Sequence, residues 1–153
     1  MYIQAVDLYT VIGNARTRKS TLVRCLCGCF NRSVRDIQPA SGRPALRLYA
    51  RAGSLQETRT RPAEFIDEAE RTRAQAVLCC LSPAAHPLHR EDFPDAATYL
   101  CRFKDRGWRL RSVAVLGQNS GGVRAPCLMQ YPNAPTLPIN LTAQAVRQHF
   151  GWL

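Results

Sequence analysis

Apolar and polar positions along the chain fall into two rhythms that take turns. An apolar lead-in within residues 3–12, interrupted by Asp7 and Thr10, ends at Gly13. After a short polar turn, Leu22, Val23, Cys25, Leu26, Cys29 and Phe30 recur at helical spacing. Residues 31–44 are polar and punctuated by Pro39, Ser41 and Gly42, which predicts a loop. Residues 45–50 then alternate, with Leu46 and Leu48 on one side and Arg47 and Tyr49 on the other, as in a half-buried strand.

Pro62 suits a first helical position. Glu64, Asp67 and Glu68 near that start and Arg71 and Arg73 near the end match the helix dipole, and Phe65, Ile66 and Ala69 supply a narrow apolar face. The run AVLCCL, residues 76–81, reads as a central parallel strand covered on both faces. Asp95 caps a helix carrying Ala96, Tyr99, Leu100 and Phe103, with Gly107 as its stop, and residues 112–116 form another apolar strand. A Gly/Pro-rich insert covers residues 118–135, with a short hairpin expected inside it in VRAPCLMQY. Residues 137–141 read as a last strand that Pro138 assigns to a sheet edge. Thr142 then caps a closing helix with Val146 and Phe150 inward and Gly151 as terminator. Strand and helix thus alternate about five times. The expected fold is α/β: a three-layer, doubly wound, mostly parallel five-stranded sheet with helices on both faces, in one domain over residues 1–153.

The chemistry concentrates in residues 10–28, TVIGNARTRKSTLVRCLCG. In the pattern G-x-x-x-x-G-K-[ST] the glycines let the backbone curl and aim its N–H groups inward, the lysine reaches the outer phosphates, and the hydroxyl holds magnesium. Gly13, Lys19 and Ser20 stand in place, whereas Arg18 replaces the second glycine. The stretch resembles P-loop NTPases, and KSTLVRCLCG is similar to the start of the first helix in GTPase-like members. That resemblance implies nucleoside triphosphate (ATP or GTP) binding by Gly13, Asn14, Ala15, Arg16, Thr17, Arg18, Lys19, Ser20 and Thr21, with Mg²⁺ on Ser20 whenever nucleotide is bound. Arg18 either obstructs the cradle, since a side chain in a left-handed backbone costs on the order of 1 kcal/mol, or joins Arg16 in adding donors to the anion.

The rest of the resemblance is degenerate. ARAGSLQE looks like the D-x-x-G segment of GTPases with Ala50 in the aspartate's place and Gly53 retained; Ser82 and Pro83 follow the strand that should end in a carboxylate. Glu57 and Asp92 are the substitutes nearest to the expected place. Gly117, Gln118 and Asn119 stand where N-K-x-D is expected, and no lysine or aspartate follows Asp105. No catalytic residue is assigned, and nucleoside-triphosphatase activity, if present, is weak. A non-catalytic descendant that binds a protein partner is the alternative.

Composition changes this picture little. The net charge is +10, and all basic residues except Lys19 and Lys104 are arginine, a balance that brings in a nucleic-acid binder as a further alternative. The cluster Arg102, Lys104, Arg106, Arg109, Arg111 is read as a solvated face. An odd count of seven cysteines, with no secretory signal at the N-terminus and no apolar run long enough to span a bilayer, predicts reduced thiols and a cytoplasmic, non-membrane protein. Cys79 and Cys80 face opposite ways along a strand. His86 and His89 lie in a Pro-containing loop, a weak metal signal.

Overall fold

The computed structural model describes residues 5–28, 32–38 and 44–152. The element order is β1 (Asp7–Gly13), α1 (Lys19–Cys27), β2 (Arg32–Ile37), β3 (Leu46–Ser54), α2 (Pro62–Arg71), β4 (Ala76–Leu81), α3 (Ala96–Asp105), β5 (Arg109–Leu116), β6 (Leu128–Tyr131), a 3-10 turn at Ala134–Thr136, and α4 (Ile139–Phe150). The six strands lie in the order β2-β3-β4-β1-β5-β6; β2 runs antiparallel to β3 and every other neighbouring pair is parallel.

The α/β expectation therefore holds, with a six-stranded sheet in place of five. Both faces of the sheet are covered. On one, Leu22, Val23 and Leu26 of α1 and Val146 and Phe150 of α4 pack on Tyr9, Val11, Leu48 and Cys80. On the other, Phe65 of α2 and Tyr99 and Phe103 of α3 pack on Leu8, Ile12, Val77 and Cys79. Cys79 and Cys80 thus face opposite sides, and all of AVLCCL is buried. Burying each such Leu or Phe side chain contributes about 1.5–3 kcal/mol, so the two layers are the main source of stability. Tyr49, expected on the exposed face of a half-buried strand, is instead buried against Phe65 at 5.9 Å between ring centroids. Polar Thr10 is accommodated at full burial by Cys79, 3.7 Å from its hydroxyl.

Four local expectations need correction. Residues 32–37, assigned to a loop, form β2; its side chains at 34–36 are exposed, as an edge strand permits, so the sequence carries no long apolar run there. Residues 39–43 lie outside the described residues, as do Cys29 and Phe30, and α1 stops earlier, at Cys27, with Gly28 in the left-handed region (φ 71°) closing it. The insert holds no hairpin: Leu128–Tyr131 pairs in parallel with Val113–Leu116 of β5. Residues 137–141 are not a strand, because Pro138 supplies the extended residue before α4, which begins at Ile139. Thr142 consequently lies inside the helix, its hydroxyl buried without a partner, and does not cap it. Asp95 does cap α3, accepting from Thr98 N at 2.9 Å.

Candidate functional site

The carboxyl ends of β1, β3, β4 and β5 carry four loops that meet above the sheet. The first is the turn at residues 14–18. It is neither extended nor helical: Thr17 N donates to Asn14 O at 3.3 Å, and the Thr17 hydroxyl donates to the same oxygen at 2.7 Å. Arg16 (φ 68°) and Arg18 (φ 66°) both adopt the left-handed conformation that curls the chain. The first helical bond of α1 runs from Leu22 N to Arg18 O, so the amides of Lys19, Ser20 and Thr21 precede its ladder. Gly13 is required by close approach: a Cβ there would lie 2.3 Å from Thr17 Oγ1 and 3.3 Å from Leu116 O.

The predicted residues divide by depth. Gly13, Thr17 and Lys19 are buried, Arg18 and Ser20 half-buried, and Asn14, Ala15, Arg16 and Thr21 exposed. Lys19, 6% exposed, folds back so that its ammonium donates to Gly13 O at 2.7 Å and Asn14 O at 3.0 Å. An ammonium has three donors, and the third is directed at no carbonyl; Glu57 lies 3.9 Å away, beyond hydrogen-bond distance. Burial lowers the Lys19 pKa from its ordinary value, and the charge of Glu57 offsets part of that effect.

Arg18 does neither of the two things its sequence position suggested. Its guanidinium turns away from the curl and donates through Nη2 to Ala134 O at 2.6 Å and to Leu137 O, tying the turn to the segment that leads into α4. Its Nε is buried without a partner.

The second loop, residues 55–60, brings Glu57 to Lys19 and is fastened on both sides. Gln56, 2% exposed, donates to Ser82 O and Pro94 O and accepts from Ser82 N at 2.9 Å; the Ser54 hydroxyl contacts both the Gln56 side-chain oxygen and the Ser82 hydroxyl. Arg51 of β3, 8% exposed, donates to Glu68 at 2.7 Å and to the hydroxyls of Thr58 and Thr60 at 3.0 Å each. This polar frame was not anticipated. The only hint in the sequence is a charged residue inside an otherwise small and apolar strand, YARAG. Asp92, the other acid considered, pairs with Arg61 at 3.4 Å. The fourth loop, residues 117–127, touches the first through Asn119 Nδ2, 3.4 Å from Asn14 Oδ1, and it packs so closely on the third, residues 82–95, that a Cβ on Gly121 would meet Pro83 O at 2.6 Å.

Elsewhere, His86 and His89 lean on Phe93 and each other, with ring centroids 5.4 Å apart, and among the described residues no three His, Cys, Asp or Glu side chains gather as metal ligands. Burial pushes the Cys79 thiol up to about 12 and the Cys80 thiol higher still, so both stay protonated in the core. Among the described residues no helix is long and apolar enough to cross a membrane. No family model, curated protein or solved structure matches the chain.

Proposed function

We propose that this chain is a small P-loop NTPase-like protein that binds a nucleoside triphosphate, ATP or GTP, at the curl from Gly13 to Thr21, with weak or no hydrolysis. The observation that carries the reading is the Lys19 ammonium, drawn beneath a left-handed turn at a helix N-terminus with one donor uncommitted. In this reading the β- and γ-phosphates take that donor and the amides at the start of α1, and Asn14 to Arg16 border the mouth. Arg18 contributes no donor to the phosphates, because its guanidinium is engaged with Ala134 and Leu137.

Mg²⁺ suits the residues present. It keeps several waters and takes only one or two protein oxygens beside the phosphates, and Ser20 at the first turn of α1, with Glu57 as the nearest carboxylate to Lys19, offers that set. The ion, when bound, neutralises charge on the triphosphate. Ser20 would hold it. A half-exposed Glu57 and no second acid nearby provide little to position an attacking water, which is why slow turnover is proposed.

Calorimetric titration with ATP and GTP, each with and without Mg²⁺, tests the reading. Saturable binding of at least one triphosphate, strengthened by Mg²⁺ and lost in a folded Lys19→Met variant, is expected. Undetectable heat at millimolar nucleotide overturns it and leaves the alternative, a scaffold that binds a protein partner.

A further inference from the structure

At the other end of the strands, away from the phosphate curl, the chain carries a contiguous row of exposed arginines. The contacts that join them are specific. Arg109 pairs with Asp7 at 3.0 Å, and Arg111 reaches the same carboxylate at 4.0 Å. Asp7 N donates to Gln75 O, Gln75 exchanges hydrogen bonds with the Arg47 backbone, and Arg47 Nε donates to Thr72 O at 3.1 Å, between Arg71 and Arg73. Arg106 completes the row through Glu70 at 2.6 Å. From β3 through β4 and β1 to β5, the row crosses three strand spacings, about 14 Å.

The acids on this edge do not cancel it. Asp7 and Glu70 are shared among Arg109, Arg111 and Arg106, and Asp67 of α2 also acts on Arg106; Asp36 stands across the ladder from Arg47, and Asp105 ends α3 beside Lys104, so these five acids face six arginines and Lys104. Three arginines, Arg47, Arg71 and Arg73, are exposed and have no carboxylate within 4.0 Å among the described residues, and Arg111 only shares Asp7 at that distance.

The geometry points to this edge as a binding surface for the phosphate backbone of a nucleic acid, separate from the nucleotide site. Guanidinium groups bind phosphate oxygens in a bidentate fork, and a 14 Å row matches about four phosphates at a 3.4 Å rise per nucleotide. An anionic membrane fits less well. Peripheral membrane binding adds inserted apolar side chains to basic ones, and among the described residues the exposed large apolar side chains Leu88, Met129, Leu137 and Leu141 belong to other segments, with Val34 of β2 alone near this edge.

Fluorescence anisotropy with labelled single-stranded RNA and duplex DNA, from 50 to 200 mM salt, provides the test. Four phosphate contacts predict a slope of log K on log salt near about −3.6 for duplex, a loss of about 150-fold over that range. In Arg71→Gln/Arg73→Gln the slope shrinks to about −1.8, while thermal unfolding and triphosphate titration match the parent protein. Absence of binding, a slope unchanged by the double variant, equal binding to vesicles of anionic lipid, or competition by millimolar Mg²⁺–nucleotide overturns the proposal. Because the readouts are separate, loss of the nucleotide reading leaves this one standing, and the reverse.

Discussion

Replacing Arg18 by alanine removes two hydrogen bonds from a charged donor, to Ala134 O and Leu137 O. Such bonds are worth about 1.5–3 kcal/mol each, and the half-exposed position places these near about 1.5. The partnerless buried Nε, whose burial costs about 1 kcal/mol, disappears at the same time, so the net loss is about 2 kcal/mol. For a domain of this length that lowers Tm by about 4–8 °C. The backbone supplies an internal control. Alanine keeps the unfavourable left-handed φ of 66°, whereas glycine relieves about 1–2 kcal/mol of it and returns part as chain entropy. Arg18→Gly should therefore lose the same hydrogen bonds yet be more stable than Arg18→Ala by about 0.5–1 kcal/mol. Urea unfolding of the three proteins measures both differences. Parent-like stability of Arg18→Ala refutes the tie from Arg18 to Ala134 and Leu137, and Arg18→Gly below Arg18→Ala refutes the backbone cost assigned to position 18.

Three further outcomes are expected. Gly13→Ala drives a Cβ to 2.3 Å from Thr17 Oγ1 and should destabilise by about 1–3 kcal/mol; adding Thr17→Ala, which removes that oxygen, should recover part of the loss in the same unfolding assay. Arg51→Met removes the cation from a partly buried Glu68, which keeps the Tyr49 hydroxyl, and one donor from each of two threonine hydroxyls that still bond each other, a loss of about 2 kcal/mol, with faster amide exchange confined to residues 55–60; unchanged exchange there contradicts the framing role given to Arg51. The third concerns pH: since burial lowers the Lys19 pKa in the folded state below 10.5, the unfolded chain binds more protons in the window between those two values, and stability gains as pH rises through it. Parent protein should thus gain on Lys19→Met as pH rises toward 10.5, and a pH-independent difference between them counts against a buried, charged Lys19.

Much of the fold was legible because burial writes itself into apolar pattern. The run AVLCCL, the faces of α2 and α3 and the stop at Gly107 all follow from which side chains meet the core. The misread segments are those where the pattern is weak or shared. Edge strand β2 exposes residues 34–36, so RSVRDI has the composition of a loop. At residues 137–141, LPINL carries three apolar residues and a proline, equally suited to an edge strand or to a helix entrance; Leu137 and Leu141 are in fact solvent-facing. In the candidate site the curl and Lys19 could be read from spacing, and Glu57 was singled out for want of other acids. The direction of Arg18 could not be, because its partners are backbone carbonyls more than a hundred residues away. Nor could the burial of Gln56 and Arg51, which depends on strands brought together only by the sheet order.

The central claim is a phosphate cradle between Gly13 and Thr21, and amide NMR of labelled protein titrated with Mg²⁺–ATP and Mg²⁺–GTP addresses it most directly. The account predicts saturable shifts concentrated on the amides of residues 14–21, with Glu57 following as its contact with Lys19 changes. Spectra unmoved at millimolar nucleotide, or shifts centred on the arginine edge at the far end of the strands, would contradict it.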